Sequence, residues 1–92
     1  VLQAQGDLAG ARARLERVLE IEAKVYGTRE HYSSAITEEQ LAYLLLAMGG
    51  EEERAAELLV HAYRVFVAQL GPDHPYTRRL AARFDRGSGD SG

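Results

Sequence analysis

The sequence predicts an all-α fold of antiparallel helix-turn-helix pairs stacked side by side, and three observations carry that prediction. One stretch is present twice. From Gly6 the chain reads GDLAGARARLERVLEIEAKVYG and stops at Gly27; from Gly50 it reads GEEERAAELLVHAYRVFVAQLG and stops at Gly71. The two stretches start 44 positions apart, so that Ala11 and Leu15 correspond to Ala55 and Leu59, and a fixed period of roughly 20 to 50 residues marks a stacked-repeat architecture. Within each stretch apolar residues recur at the spacing of a helix. Between them, the segment Thr28 to Ser34 shows no alternation that could make a strand.

Taken in order, Val1 to Gln5 read as the end of a helix that Gly6 stops, with Asp7 placed to cap the next one. Leu8, Ala11, Leu15, Val18, Leu19, Val25 and Tyr26 then form a single apolar stripe that Gly27 ends. The next helix is expected to start at Ser33 or Ser34 and to run to Met48. Its LAYLLLAM segment is apolar over most of its circumference, which predicts cover on two sides. Gly49 and Gly50 break it. In the following helix Ala55, Leu58, Leu59, Ala62, Tyr63, Phe66 and Leu70 form the stripe. Glu51, Glu52 and Glu53 lie in its first turn, where carboxylates favour the positive end of the dipole. Pro75 disfavours a helical His74 and suits a first helical position, so a last helix starts there and runs through Thr77, Leu80, Ala81 and Phe84. About five helices are expected, the terminal ones partial. Residues 1–84 form the helical domain, and residues 85–92, with almost no apolar content, are expected to be a disordered tail.

Composition narrows the function classes. A chain of 92 residues is one small domain at most, or a piece of a longer array, and 46% hydrophobic residues are enough for a core. The net charge of −3 gives no global attraction to nucleic acid or an anionic membrane. Fourteen acidic residues outnumber the basic ones, and no base-stacking aromatics lie among the arginines. There is no cysteine, which excludes disulfides and cysteine-ligated metal and accords with a cytoplasmic location. No apolar run approaches the roughly 18 residues of a membrane span.

Leu70-Gly71-Pro72-Asp73-His74-Pro75 closes the second copy. Together with the helix-turn-helix pairing before it, this segment resembles the tetratricopeptide repeat (TPR), in the kinesin-light-chain-like variety of roughly 42 residues. Ala11 and Ala55 match the small residue expected early in the second helix of a repeat, and Leu41 with Ala42 matches the pair expected in the first. The resemblance covers residues 1–84 and implies an α–α superhelix. It departs from the pattern at Tyr26 to Tyr32, which lacks both prolines, and in its period, the extra residues being assigned to that turn and to Gly49–Gly50.

The same resemblance implies a concave groove, lined by the first helix of each repeat, that holds an extended peptide or a partner helix. By position the lining residues are Ile36, Glu39, Gln40, Tyr43, Leu46 and Ala47, followed by Arg79, Ala82 and Arg83. Helical geometry puts residues 36, 39, 40, 43 and 47 on one face, apart from Leu41, Leu44, Leu45 and Met48. Where the family places asparagines this chain has Glu39 and Gln40; glutamate cannot donate to a peptide carbonyl. Tyr43 has two readings, a groove contact or packing on the neighbouring repeat. Arg78, Arg79, Arg83 and Arg86 likewise read as a solvated face or as a site for acidic side chains.

No catalytic, cofactor or metal constellation is present in the sequence. His31, His61 and His74 stand alone without metal-ligand spacing, His61 reading as a half-buried spacer and His74 as part of the turn. Ser33 and Ser34 read as helix caps rather than nucleophiles, and the glycine pair before Glu51 is followed by charges that repel phosphate. The expectation is a non-catalytic protein-interaction scaffold. The alternative is a structural module that self-associates through open repeat edges, Val1 and Leu2 among them, because an isolated array needs about three repeats for stability. A further alternative is an appendage to an enzyme or regulator.

Overall fold

The computed structural model describes the backbone of residues 2–90 and the side chains of residues 7–85. The described residues form four helices and no strand: α1 (Leu2–Tyr26), α2 (Tyr32–Met48), α3 (Glu52–Leu70) and α4 (Pro75–Asp90). Each packs on the one before it across a turn of a few residues, which makes neighbours antiparallel.

One expected boundary is corrected. Gly6 does not divide the start of the chain, and Asp7 caps nothing; both lie inside α1, which accounts for four helices rather than five. Glycine weakens a helix by about 1 kcal/mol relative to alanine but does not forbid it. At the other end the backbone of α4 is helical through Asp90. The side chains of Val1, Leu2 and Arg86 lie outside the described residues, so the open edge predicted at the first two does too.

The start of α2 differs from its prediction as well. Its N-cap is His31, whose Nδ1 accepts from the Ser33 amide at 3.0 Å. Neither serine caps. The Ser33 hydroxyl donates to Glu22 of α1 at 2.7 Å, and the Ser34 hydroxyl is buried with no partner. The start of α4 is built the same way: His74 Nδ1 accepts from the Tyr76 amide at 3.1 Å, and the buried Thr77 hydroxyl lacks a partner. His31 and His74 are 43 positions apart, whereas Ala11 and Ala55 are 44 apart. The additional residue of the first copy therefore lies in the turn between Gly27 and His31. Side chains clasp this turn: Gln69 of α3 donates to the Glu30 carbonyl and accepts from the Tyr32 amide at 3.0 Å, and Tyr26 stacks on His31 with ring centroids 3.8 Å apart.

The core lies where α2 is covered by α1 on one side and α3 on the other. Ala35 and Ala42 of α2 and Ala55 and Ala62 of α3 are all 0% exposed. Side chains this small let helix axes approach closely, and Leu41, Leu45, Val65 and Phe66 fill the space around them. Leu80 of α4 completes the cluster. The stripe of α1 is covered only in part. Leu19 is buried, but Val25 and Tyr26, predicted to belong to the core, are exposed, because no further helix among the described residues lies on that side.

Gly71 closes α3 at φ 93°, ψ 160°, a region that residues with a Cβ avoid at a cost of about 1–3 kcal/mol. Gly10 lies mid-helix in α1, and a Cβ there would meet nothing within 4 Å. The two glycines should respond oppositely to alanine. Gly10→Ala is expected to raise the free energy of unfolding by about 0.5–1 kcal/mol and Gly71→Ala to lower it by at least about 1 kcal/mol, as measured by urea denaturation.

Candidate functional site

The face shared by α2 and α4 brings most of the sequence-predicted groove residues together. Glu39 and Tyr43 are one turn apart on α2, and Arg79 and Arg83 one turn apart on α4. Arg79 donates through Nε and Nη2 to the two oxygens of Glu39, at 3.0 and 2.6 Å. Tyr43 donates its hydroxyl to the same carboxylate at 2.7 Å. The Arg83 guanidinium stands over the Tyr43 ring, 4.8 Å from its centroid, a cation–π contact. Four side chains thus form one chain of contacts from α2 to α4.

That arrangement separates the predicted groove residues into two levels. Glu39 is 3% exposed and lies beneath the face, its acceptors engaged by Arg79 and Tyr43. Ile36 and Leu46 are half-buried and pack on the core. Gln40, Ala47, Ala82 and Arg83 are exposed, and Tyr43 is half-exposed between them. Burial, and after it Glu39, pushes the Tyr43 phenol above its ordinary value, so it stays a donor at neutral pH. Arg79 is held charged chiefly by its hydrogen bonds to Glu39. Among the described residues no carboxylate pairs with Arg83. The face can therefore offer a ring, an amide and a cation to a ligand.

Two polar clusters escaped the sequence reading. Arg12 and Glu16 of α1 interlock with Glu51, the N-cap residue before α3, and with Arg54 of α3: Arg12 pairs with Glu16 at 3.2 Å and with Glu51, while Arg54 pairs with Glu16 at 2.9 Å. Glu51 thus joins an ion-pair ring rather than only facing the helix dipole. Hydrogen bonding from Arg54 lowers the Glu16 carboxyl below its ordinary value, against its desolvation. The repeat register was the available signal, since it sets α1 beside α3. The second cluster corrects the reading of His61 as a spacer. Its Nδ1 lies 2.7 Å from the buried Glu38 and its Nε2 2.7 Å from Glu30 of the clasped turn. Nothing in the sequence marks a pair 23 residues apart.

Among the described residues no helix is long and apolar enough to cross a membrane, and no group of three or more His, Asp or Glu side chains converges in a way that could hold a metal ion. Comparison with protein-family models, curated proteins and solved structures returns no match for this chain.

Two outcomes test these clusters. Glu39→Gln removes the charge from a buried acceptor and should destabilise the fold by about 1–2 kcal/mol, below the range for a fully buried charged bond because the Arg79 side chain is half exposed. Chemical denaturation of that variant beside Arg79→Ala reads it. For His61, burial favours the neutral ring, but the hydrogen bonds to Glu38 and Glu30 outweigh it and raise the pKa above 6.5. A base raised on folding stabilises fully below its unfolded value and loses that contribution as pH climbs through the folded value. The stability difference between the native chain and His61→Gln should therefore shrink as pH rises above about 6.5 in urea titrations; a difference that grows would contradict the pairing.

Proposed function

We propose that this chain is a tetratricopeptide-like helical repeat module whose role is to bind another protein, with a peptide or partner helix lying across the α2–α4 face. The repeat reading is supported by the sequential packing of α1 to α4 and by two helices begun with the same histidine cap. The binding reading rests on one observation. Arg83 and Tyr43, from helices that meet nowhere else in their backbones, join side chains at an exposed surface next to Gln40 and Ala82. Such a surface has a planar apolar body for side-chain contact, an amide able to both donate and accept, and a cation.

In this reading Glu39 is a positioning group, not a ligand contact. It holds Arg79 and the Tyr43 hydroxyl, and so sets the ring on which Arg83 rests. The module is non-catalytic, and its ligand is recognised by shape and backbone rather than transformed.

Peptides selected from a random displayed library on the immobilised chain test this. Expected are binders whose affinity falls at least about tenfold, or about 1.4 kcal/mol, on Tyr43→Ala and on Arg83→Glu. Binders that retain full affinity for both variants would place recognition on another surface.

A further inference from the structure

Among the described residues the stack has two uncovered ends, and the repeat shows what each end is shaped for. Arg12 and Glu16 are on the side of α1 that meets α3, where Glu51 and Arg54 receive them. Carried forward 44 positions, Arg12 and Glu16 become Ala56 and Val60, which therefore mark the side of α3 that faces away from α1. Carried back, Glu51 and Arg54 become Asp7 and Gly10, which mark the side of α1 that faces away from α3. Leu58 and Val65 continue that second stripe at helical spacing, and their counterparts are Arg14 and Ile21. Val65 is 1% exposed, whereas Ile21 in the corresponding place is 50% exposed and Val25, one turn on, 70%. A position that is dry in one copy of the repeat is wet in the other.

At the opposite end Val60 is 40% exposed. It and Ala56 border an open cavity of about 470 Å³, whose walls include Leu46, Leu59 and Phe84. The balance of charge differs in sign between the two apolar ends. On α1, exposed Arg14, Arg17 and Lys24 outnumber the exposed Glu20 near Ile21, and on α3 exposed Glu52, Glu53 and Glu57 outnumber Arg64 and the Arg83 of α4 that also border Val60.

We propose that the two ends bind each other between copies of this chain, α1 of one molecule lying along the α3–α4 end of the next. Ile21 and Val25 cover Ala56, Val60 and Phe84, and the arginines of α1 face the glutamates of α3. A second copy fits better than an arbitrary helix for two reasons. The charges are complementary, and α1 is the repeat counterpart of α3, the helix that holds the corresponding place beside α1 within the chain. The contact joins unlike surfaces, so each docked molecule presents a fresh end and the assembly grows as a row.

Sedimentation velocity on the full chain, from micromolar to sub-millimolar concentration and at low and high salt, reads this directly. The mean mass should rise with concentration and fall with salt. Ile21→Asp and Val60→Asp should each weaken association by at least about tenfold. Mixed in equal amounts they should form a dimer that grows no further, because each variant keeps the end that the other has lost. If circular dichroism shows either variant unfolded, the exposed substitutions Arg17→Glu and Ala56→Arg replace them. A native chain that stays monomeric throughout would overturn the proposal. So would a mixture that stays monomeric, or association lost in Ile21→Asp but kept in Val60→Asp, the mark of a symmetric α1–α1 pairing.

Discussion

The rest of the molecule depends on how closely α2 approaches α3. Four alanines, Ala35, Ala42, Ala55 and Ala62, lie in the core with no exposed surface, and any larger side chain there would push the axes apart. With the axes held close, Glu38 reaches His61 at 2.7 Å. The position of α3 then decides where α4 can lie, and α4 brings Arg79 and Arg83 over Glu39 and Tyr43. The candidate site is a consequence of small residues that lie well beneath it. Its chemistry is polar, but its geometry is set by an apolar contact.

Much of this was legible in the amino-acid order, and the parts that were not share a cause. Gly27, Gly49 and Gly71 were readable as helix ends because each adopts a positive φ that other residues resist, and Pro75 marked a start for an equally local reason. Gly6 misled because glycine permits a stop without demanding one. The caps of α2 and α4 were missed because a histidine ring accepting an amide falls outside the small polar set that signals a cap. Periodicity identified which side of α1 is apolar, but not whether a neighbour covers it, and Val25 and Tyr26 belong to that gap.

At the site the division is sharper. Helical spacing placed Gln40, Tyr43 and Ala47 on one face, and Arg79 and Arg83 one turn apart on α4. It could not reveal that Glu39, on that same face, is buried beneath an arginine forty positions away. Burial of a charged residue depends on a partner from another helix, and only packing supplies one. The same holds for the ion-pair ring of Arg12, Glu16, Glu51 and Arg54. Local order is written locally; the pairing of charges between helices is not.

The turn between Gly27 and His31 carries one residue more than its counterpart before His74, yet both lead into a helix begun by the same ring-to-amide bond. The surplus is taken up in a stretch that is largely exposed and tied down by Gln69. Length can therefore vary at this joint without turning the next helix about its axis. The two joints of this chain thus differ in length by one residue and still hand the backbone on to a helix through the same bond, so a strict period is not what the stacking requires.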